Sequence, residues 1–196
     1  MNKRNGFTII EVVLVLGIAG LIFAMTFVAL PALWKSQRDA ERENDITTFV
    51  QDLKSFQTDN NRGALPSSSN DKDILDDDGE EIFVTWEAIS TGTIDSGWAD
   101  FYENYLGEGF VDPNGENYEL VITNCAERLS DLNPGESCDA DILNDLRDSS
   151  FAENEHRLYV VIGAVCGDEE AISAANNRRV AVLYRLEAAG VYCQNT

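Results

Sequence analysis

The most constraining feature of the sequence is an apolar run near the N-terminus that contains a single carboxylate. Residues 7–34 carry no charged side chain except Glu11. About 20 apolar residues suffice for a helix to cross a bilayer, so the run is long enough to span a membrane. An ionisable side chain within such a run costs roughly 2.5–3.5 kcal/mol on insertion scales and marks a functional site by default. Glu11 therefore requires a partner of opposite charge.

The residues that precede the run indicate where this partner comes from. A secretory signal peptide carries its small-residue cleavage site after an apolar core of about 7–15 residues. Here the small residue, Gly6, precedes the apolar run. Cleavage between Gly6 and Phe7 would create an α-amino group on Phe7 that is largely protonated at neutral pH. Processing would thus supply the cation that Glu11 lacks.

The segment KRNGFTIIE, from Lys3 to Glu11, resembles the class III leader and N-terminal helix of type IV pilins and type II secretion pseudopilins. The resemblance implies that prepilin peptidase cleaves after Gly6 and methylates the Phe7 amine, and that Glu11 is the glutamate used in assembly. It further implies a homo-oligomeric helical filament, a membrane-inserted precursor, and a pilus assembly platform with its ATPase system as partners. No cofactor is implied.

The resemblance also concerns the flexibility of the membrane helix. Gly20 falls where many members of the family have a glycine, but the family's helix proline would fall at Val28, whereas this chain has Pro31. Proline removes a backbone donor and clashes with the carbonyl four residues earlier. The resemblance therefore implies a segment from Gly20 to about Pro31 that can lose helicity in the filament.

The periodicity after the apolar run predicts that the helix continues as an amphipathic segment. Apolar side chains recur at three- and four-residue spacing, which is typical of one apolar helix face: Ile46, Phe49, Val50, Leu53 and Phe56. Gly63 is a suitable residue to end the helix, and Pro66 prevents its resumption. A helix from about Thr8 to Asn61 would be roughly 80 Å long.

These features predict an α+β, pilin-like fold, in which the long N-terminal helix packs on a C-terminal antiparallel β-sheet head. The expected organisation is a leader, a membrane and assembly half of the helix, an amphipathic half, a variable connecting loop, and a head with the cysteines: residues 1–6, 7–34, 35–62, 63–117 and 118–196. The strands expected in the head are rich in β-branched and aromatic residues: Tyr118–Thr123, Arg157–Val165 and Arg179–Leu186.

The connecting loop and the head contain weaker signals. A strand or turn is expected at Ile82–Trp86, and short helices at Trp98–Leu106 and Ala140–Asp148. The segment DPNGENY, from Asp112 to Tyr118, is similar to the Asp-Pro-x-Gly-x-x-Tyr turn that precedes the sheet in pseudopilins and many pilins. Proline and glycine at this spacing are typical of a tight turn.

The even number of cysteines in the C-terminal part of the chain favours disulfides and an oxidising compartment. Cys125, Cys138, Cys166 and Cys193 allow three pairings. The favoured pairing is Cys125–Cys138, which closes a local loop, with Cys166–Cys193, which holds the last strand segment. A Cys125–Cys193 bond is the alternative. Zinc is disfavoured because no paired C-x₂₋₄-C knuckle is present. The head is expected outside the membrane.

Charge and motif content argue against several functions. Loss of the leader would leave 12 of the 14 basic side chains against 35 acidic ones, so direct nucleic-acid binding is not expected. The acidic run at residues 76–81 fails the EF-hand pattern at Ile74 and Thr85, and metal is left unassigned. His156 is the single histidine, and no catalytic motif accompanies it. An enzyme is not expected.

The sequence leaves three functional hypotheses open. The first is a type IV pilin that polymerises into an extracellular fimbrium for attachment and twitching motility. The second is a pseudopilin of a type II secretion or competence system, which shares the helix and the glutamate. The third is a monomeric, membrane-anchored binding ectodomain, for which the helix is only an anchor. Processing of the leader distinguishes the third hypothesis from the first two.

Overall fold

The structure of the chain is a computed structural model. The structure describes residues 7–59, 63–66, 82–84, 97–107, 110–125, 156–167, 171–173, 178–187 and 190–196. Several expectations lie outside these residues: the leader with Gly6, the acidic run at 76–81, Cys138, and the helix expected at Ala140–Asp148.

One helix dominates the N-terminal part of the molecule. Helix α1 runs without interruption from Ile9 to Asp59, through both Gly20 and Pro31. At 1.5 Å per residue its length is about 77 Å, close to the length expected from the sequence. Gly63 follows the helix with a φ of 69°, a left-handed conformation that glycine adopts without strain. The chain therefore turns where the sequence predicts.

Within the described residues the sheet has five strands, and most of it comes from the C-terminal part of the chain. Its order is β1-β2-β3-β6-β7. The strands are β1, Ile82–Val84; β2, Glu119–Asn124; β3, Arg157–Ile162; β6, Val180–Arg185; and β7, Val191–Asn195. A separate two-stranded ribbon is formed by β4, Ala164–Cys166, and β5, Ala171–Ser173. The long helix and the C-terminal sheet give the α+β, pilin-like layout that the sequence predicts.

The sheet is mixed, so the expectation of a wholly antiparallel sheet is wrong at one position. Strands β2 and β3 pair in parallel, with Glu119 opposite Arg157, whereas β1–β2, β3–β6 and β6–β7 are antiparallel. A parallel pair requires a crossover of a dozen or more residues. The connection between β2 and β3, residues 125–156, is long enough to return the chain to the same end of the sheet.

Both faces of the sheet are buried among the described residues. One face packs against α1 through Leu120, Leu158 and Val182, which join the helix side chains Ile46 and Phe49 in a single core. The other face forms a second cluster: Val121, Tyr159, Val161, Ala181, Leu183 and Val191. Burial on both faces explains why the strand sequences are continuously apolar instead of alternating.

An aromatic cluster fills the space between α1 and the connecting region. Helix α2, Gly97–Phe101, continues into a π-helical turn, Tyr102–Leu106, close to the bounds expected for a single short helix. The Phe101 ring meets Phe49 edge to face at 5.7 Å between ring centroids. The Phe110 ring stacks on Phe49 at 5.8 Å by the same measure. These contacts attach the connecting region to the amphipathic half of α1.

A disulfide between Cys166 and Cys193 joins the β4–β5 ribbon to strand β7. This bond confirms the Cys166–Cys193 part of the favoured pairing and rules out the alternative Cys125–Cys193 bond. Cys125, which directly follows β2, is also disulfide-bonded. Its predicted partner, Cys138, lies outside the described residues. Crosslinking of the last strand reduces the conformational freedom of the unfolded chain, which is the usual explanation for stabilisation by disulfides.

Candidate assembly site and the helix–head joint

The N-terminal half of α1 has no partner within the described part of the subunit. From Phe7 to Trp34, its large apolar side chains are between 38% and 88% exposed. Among the described residues, α1 is the helix that is long and apolar enough to cross a membrane. Soluble monomeric proteins rarely expose contiguous apolar patches of more than a few hundred Å². This surface therefore requires lipid or other protein chains around it.

Glu11 lies at the N-terminal end of this exposed surface, where it caps the helix. Its Oε2 atom accepts hydrogen bonds from the Thr8 backbone N–H at 3.0 Å and from the Thr8 hydroxyl at 2.8 Å. The sequence Thr8-Ile9-Ile10-Glu11 has the spacing of a capping box, in which the third helical residue bonds back to the N-cap. The carboxylate is held by Thr8 yet stays exposed, and Phe7, four residues earlier in the chain, is 88% exposed.

The structure places the two predicted flexibility residues on the same exposed surface. Neither Gly20 nor Pro31 interrupts α1, and a Cβ atom at Gly20 would meet nothing within 4 Å. Between them, the Thr26 hydroxyl donates to the backbone carbonyls of Ile22 and Phe23. The expected loss of helicity concerns the filament, and it stays a prediction.

The first buried contacts of α1 with the head are ionic, and they centre on Arg42. Its guanidinium is 1% exposed and donates two hydrogen bonds to Asp112, from Nε at 2.6 Å and from Nη2 at 3.1 Å. Nη1 donates to Glu187 at 2.7 Å and to Asp39 at 3.3 Å. Arg42 also lies over the Tyr184 ring, 5.7 Å from its centroid. One cation thus joins the helix to the connecting loop, at Asp112, and to the head, at Glu187.

The carboxylates around Arg42 have further partners. Arg38 donates to both oxygens of Glu187, and the backbone N–H of Glu187 donates to Asp39 at 2.9 Å. The hydrogen bond from Arg38 and the nearby charge of Arg42, acting against burial, lower the pKa of Glu187 to about 2. Burial acts to lower the pKa of Arg42, but its bond to Asp112 and the charge of Glu187 raise that pKa. Both groups are therefore ionised at neutral pH.

The turn predicted at Asp112–Tyr118 forms, and both of its end residues contact α1. Within the turn, the Asn114 N–H donates to the Asp112 side chain at 2.8 Å, and the Gly115 N–H donates to the Asp112 carbonyl at 2.7 Å. Gly115 has a φ of 94°, which explains the glycine. At the other end, the Tyr118 hydroxyl donates to Asp45 at 3.0 Å. Burial and then the Asp45 charge raise the pKa of Tyr118, so its hydroxyl stays a donor.

The sequence did not predict this joint, which we define as Arg38, Asp39, Arg42, Asp45, Asp112, Tyr118 and Glu187. A local signal exists on the helix: Asp39 and Arg42 fall on the same face as Ile46 and Phe49, three or four residues apart. Charged residues are almost never fully buried unless they are paired. An arginine on the apolar stripe therefore indicates a buried ion pair, although the sequence does not identify its distant partners.

The similarity to known proteins lies in the N-terminal region. The model of the prokaryotic N-terminal methylation motif matches residues 1–27. The chain carries a class III prepilin leader. This leader is typical of type IV pilins and pseudopilins, and it implies processing by prepilin peptidase and use of the pilus assembly machinery. Comparison with the curated proteins and with the solved structures finds no match.

The prepilin leader and the fold together indicate a structural subunit. The matched residues contain Gly6, Phe7, Glu11 and Gly20, and the apolar helix that follows is consistent with a membrane-anchored pilin. Within the described residues, no group of three or more His, Cys, Asp or Glu side chains is placed to hold a metal ion. The chemistry that the leader indicates is proteolysis and methylation of this chain by another protein.

Proposed function

We propose that the protein is a type IV pilin, a structural subunit that polymerises into a surface filament for attachment and twitching motility. The observation that carries the proposal is the exposed apolar half of α1, which directly follows a prepilin leader. Before assembly this half spans the cytoplasmic membrane with the head outside. In the filament the same surface is covered by the helices of other subunits.

The proposed assembly step depends on one charge pair. Cleavage after Gly6 frees the amine of Phe7, and Glu11 of an incoming subunit pairs with that amine on a subunit already in the filament. The apolar helices then pack against each other in the filament core, which keeps their surface out of water. This burial is favourable by about 25 cal/mol for each Å² of apolar surface removed from water. A carboxylate buried without its partner is strongly unfavourable. The pair would therefore select one axial offset between neighbours.

The geometry at Glu11 is compatible with this role. The Thr8 backbone N–H and hydroxyl both donate to the Oε2 atom of Glu11. Among the described residues no cation pairs with Glu11 in the isolated subunit. The carboxylate is exposed at the end of the helix, where a second chain can approach it. Thr8 thus orients a carboxylate whose charge is left for an intermolecular partner.

The decisive experiment is the identification of the N-terminal residue, by mass spectrometry, in protein taken from the native cell surface. A methylated Phe7 is the expected result, together with long surface fibres in electron micrographs. Short fibres confined to the periplasm or wall would instead indicate a pseudopilin of a secretion or competence system. A mature protein that retains Met1 and stays monomeric would refute the filament function and favour an anchored ectodomain.

A further inference from the structure

The apolar run of α1 is longer than the hydrocarbon core of a bilayer, so its length alone does not fix its depth. From Ile9 to Trp34 the helix extends about 39 Å, whereas the hydrocarbon core is about 30 Å thick. Tilting of a helix accommodates such an excess, and the tilt is set by side chains that anchor the helix at the interface. An anchor at one end would therefore give the run a defined depth.

The end of the run next to the head carries side chains of this anchoring type. Trp34 is the last apolar residue of the run and is 54% exposed, and Lys35, which follows it, is exposed as well. Tryptophan is enriched at the membrane–water interface. Lysine lays its methylene groups along apolar surface while its ammonium group reaches the polar layer. The two residues therefore mark one boundary of the hydrocarbon core.

Lys35 lies on the side of α1 that faces the head, but the described part of the head does not cover it. Asp39 and Arg42, four and seven residues further along, are buried in the joint, and residues at this spacing share one side of a helix. Lys35 itself is exposed. The Cα–Cβ bonds of a helix tilt toward its N-terminus, so the Lys35 side chain leaves the helix away from the head and toward the membrane.

Within the described residues, Lys35 has no carboxylate as a partner. Asp39, one turn further along, is the nearest carboxylate on the same side of the helix. It accepts from Arg42 at 3.3 Å and from the Glu187 backbone N–H at 2.9 Å. None of the ion pairs among the described residues includes Lys35. Its ammonium group is therefore available to an anion outside the subunit.

The order of the charges along α1 matches the layers of a bilayer. A bilayer is about 40–45 Å thick with its headgroups and about 30 Å without them, so each headgroup layer is about 5–8 Å thick. Lys35 lies within this distance of Trp34. Glu41, the first exposed carboxylate of α1 after Lys35, lies about 10 Å beyond Trp34. The headgroup layer thus receives the cation and not the carboxylate, which favours an anionic ligand.

We propose that Trp34 and Lys35 form a lipid-binding site, in which the Lys35 ammonium group pairs with a headgroup phosphate of the outer leaflet. The inference rests on the proposed function, because it concerns the membrane-inserted precursor. Helix α1 is continuous on both sides of the site. The contact therefore sets the depth of Glu11 in the membrane and holds the head, whose contacts begin at Arg38, close to the lipid surface.

The test compares thin and thick bilayers. The full chain is placed in nanodiscs of phosphatidylglycerol and phosphatidylcholine with short or long acyl chains. A spin label on Ser36→Cys, at an exposed position, reports its depth through its accessibility to oxygen and to a water-soluble nickel complex. In the parent protein the distance of the label from the phosphate layer is expected to change between the two bilayers by less than about 1.5 Å, one residue of helical rise.

Lys35→Gln and Trp34→Ala are each expected to let this distance change by about 3 Å or more, two residues of helical rise. Lys35→Arg, which keeps the charge, should behave like the parent. Lys54→Gln is the matched control, because Lys54 is also exposed on α1 but lies about 28 Å further from the membrane. A label that keeps its depth in Lys35→Gln would overturn the phosphate contact. A label that keeps its depth in Trp34→Ala would exclude Trp34 from the site.

Two further measurements identify the ligand and separate this inference from the proposed function. In galactolipid nanodiscs, which contain no phosphate, the parent should behave like Lys35→Gln, and a label that keeps its depth there would overturn the phosphate contact. Recovery of the depth on addition of inorganic phosphate would show that lipid is not the ligand. A label on Ile22→Cys, in the middle of the run, should be shielded from the nickel complex. If it is accessible, the membrane-inserted precursor of the proposed function fails; if it is shielded while Lys35→Gln has no effect, only the lipid contact fails.

Discussion

The two halves of helix α1 differ in where their partners are. The half from Phe7 to Trp34 exposes apolar side chains and carries one charge, whereas the half that begins near Arg38 buries its apolar stripe and a cluster of ion pairs against the head. The second half is completed by contacts within its own chain. Among the described residues the first half has no such partner, and no cation pairs with its single charge.

This difference separates folding from assembly within one continuous helix. Tertiary packing of an amphipathic face usually provides most of the stability of a helix in a protein, and α1 receives such packing only from about Asp39 onwards. Substitutions in the head-bound half should therefore change folding stability. Substitutions in the exposed half should leave the head folded and change association between chains.

The largest expected effect is on assembly, for Glu11→Gln. Glutamine is close to glutamate in size and can still accept the hydrogen bonds from Thr8, but it cannot pair with an amine by charge. We expect normal cleavage, normal membrane insertion and no fibres, measured by mass spectrometry and by shearing fibres from cells. Glu41→Gln, at an exposed position in the head-bound half, is the control and should assemble. Fibres from Glu11→Gln would show that Glu11 acts only as a helix cap.

A large effect on stability is expected at the joint, for Asp112→Asn. The substitution removes the carboxylate that accepts two hydrogen bonds from the buried Arg42 guanidinium. Removal of one partner from a buried ion pair costs about 3–5 kcal/mol. Because asparagine retains one acceptor, we expect a loss of about 3 kcal/mol in the free energy of unfolding, measured by urea titration of the detergent-solubilised chain. Asp59→Asn, at an exposed position, should change it by less than about 0.5 kcal/mol. Equal losses in the two variants would contradict a buried ionic joint.

The sequence predicted the elements of the fold better than it predicted their contacts. Helix α1 and strands β2, β3 and β6 follow from local periodicity and composition. The predicted second strand extended to Val165, but the chain turns at Gly163, which has a φ of 76°. Strand β7 was not among the three predicted strands, because it ends in the polar residues Gln194 and Asn195 and has a single β-branched residue, Val191.

The joint and the parallel strand pair were not predicted for a related reason. Arg42 and Asp112 are 70 residues apart, and Arg42 and Glu187 are 145 residues apart. Contacts over such separations depend on how the sheet is connected, which local patterns do not specify. At the N-terminus the assignment was possible because Gly6, Phe7 and Glu11 lie within a few residues of one another. A linear signal, read by a peptidase, needs no folded context.

A smaller effect on stability is expected when the disulfide between β4 and β7 is removed. Cys166 and Cys193 are 27 residues apart, and the loop-entropy relation gives about 3.5 kcal/mol for a loop of this length, of which real proteins often show less. We expect the Cys166→Ser, Cys193→Ser double variant to lose about 2–3 kcal/mol in urea titration and to keep its N-terminal processing. Unchanged stability would mean that the β4–β5 ribbon is held by packing alone.

The smallest expected effect is a dependence of the stability of the head on pH in the acidic range. The pKa of Glu187 is about 2 in the folded chain against an ordinary value of 4.5, so the folded state favours the ionised form. Its contribution is complete above about pH 4.5 and is lost as the pH falls toward 2. Asp45 acts in the opposite direction, because burial raises its pKa. The parent curve of stability against pH therefore contains both effects, and it must be compared with that of a variant.

Glu187→Gln isolates the contribution of the carboxylate that bonds both Arg38 and Arg42. At pH 7 the variant should be less stable than the parent by on the order of 2 kcal/mol, and the difference should shrink as the pH falls from 4.5 toward 2. In the part of the chain that the structure describes, the exposed half of α1 has no such contact with the head, so Glu11→Gln should follow the parent curve over the same range. A constant difference between Glu187→Gln and the parent would mean that Glu187 contributes through packing, and the joint would then hold the head without depending on the charge of Glu187.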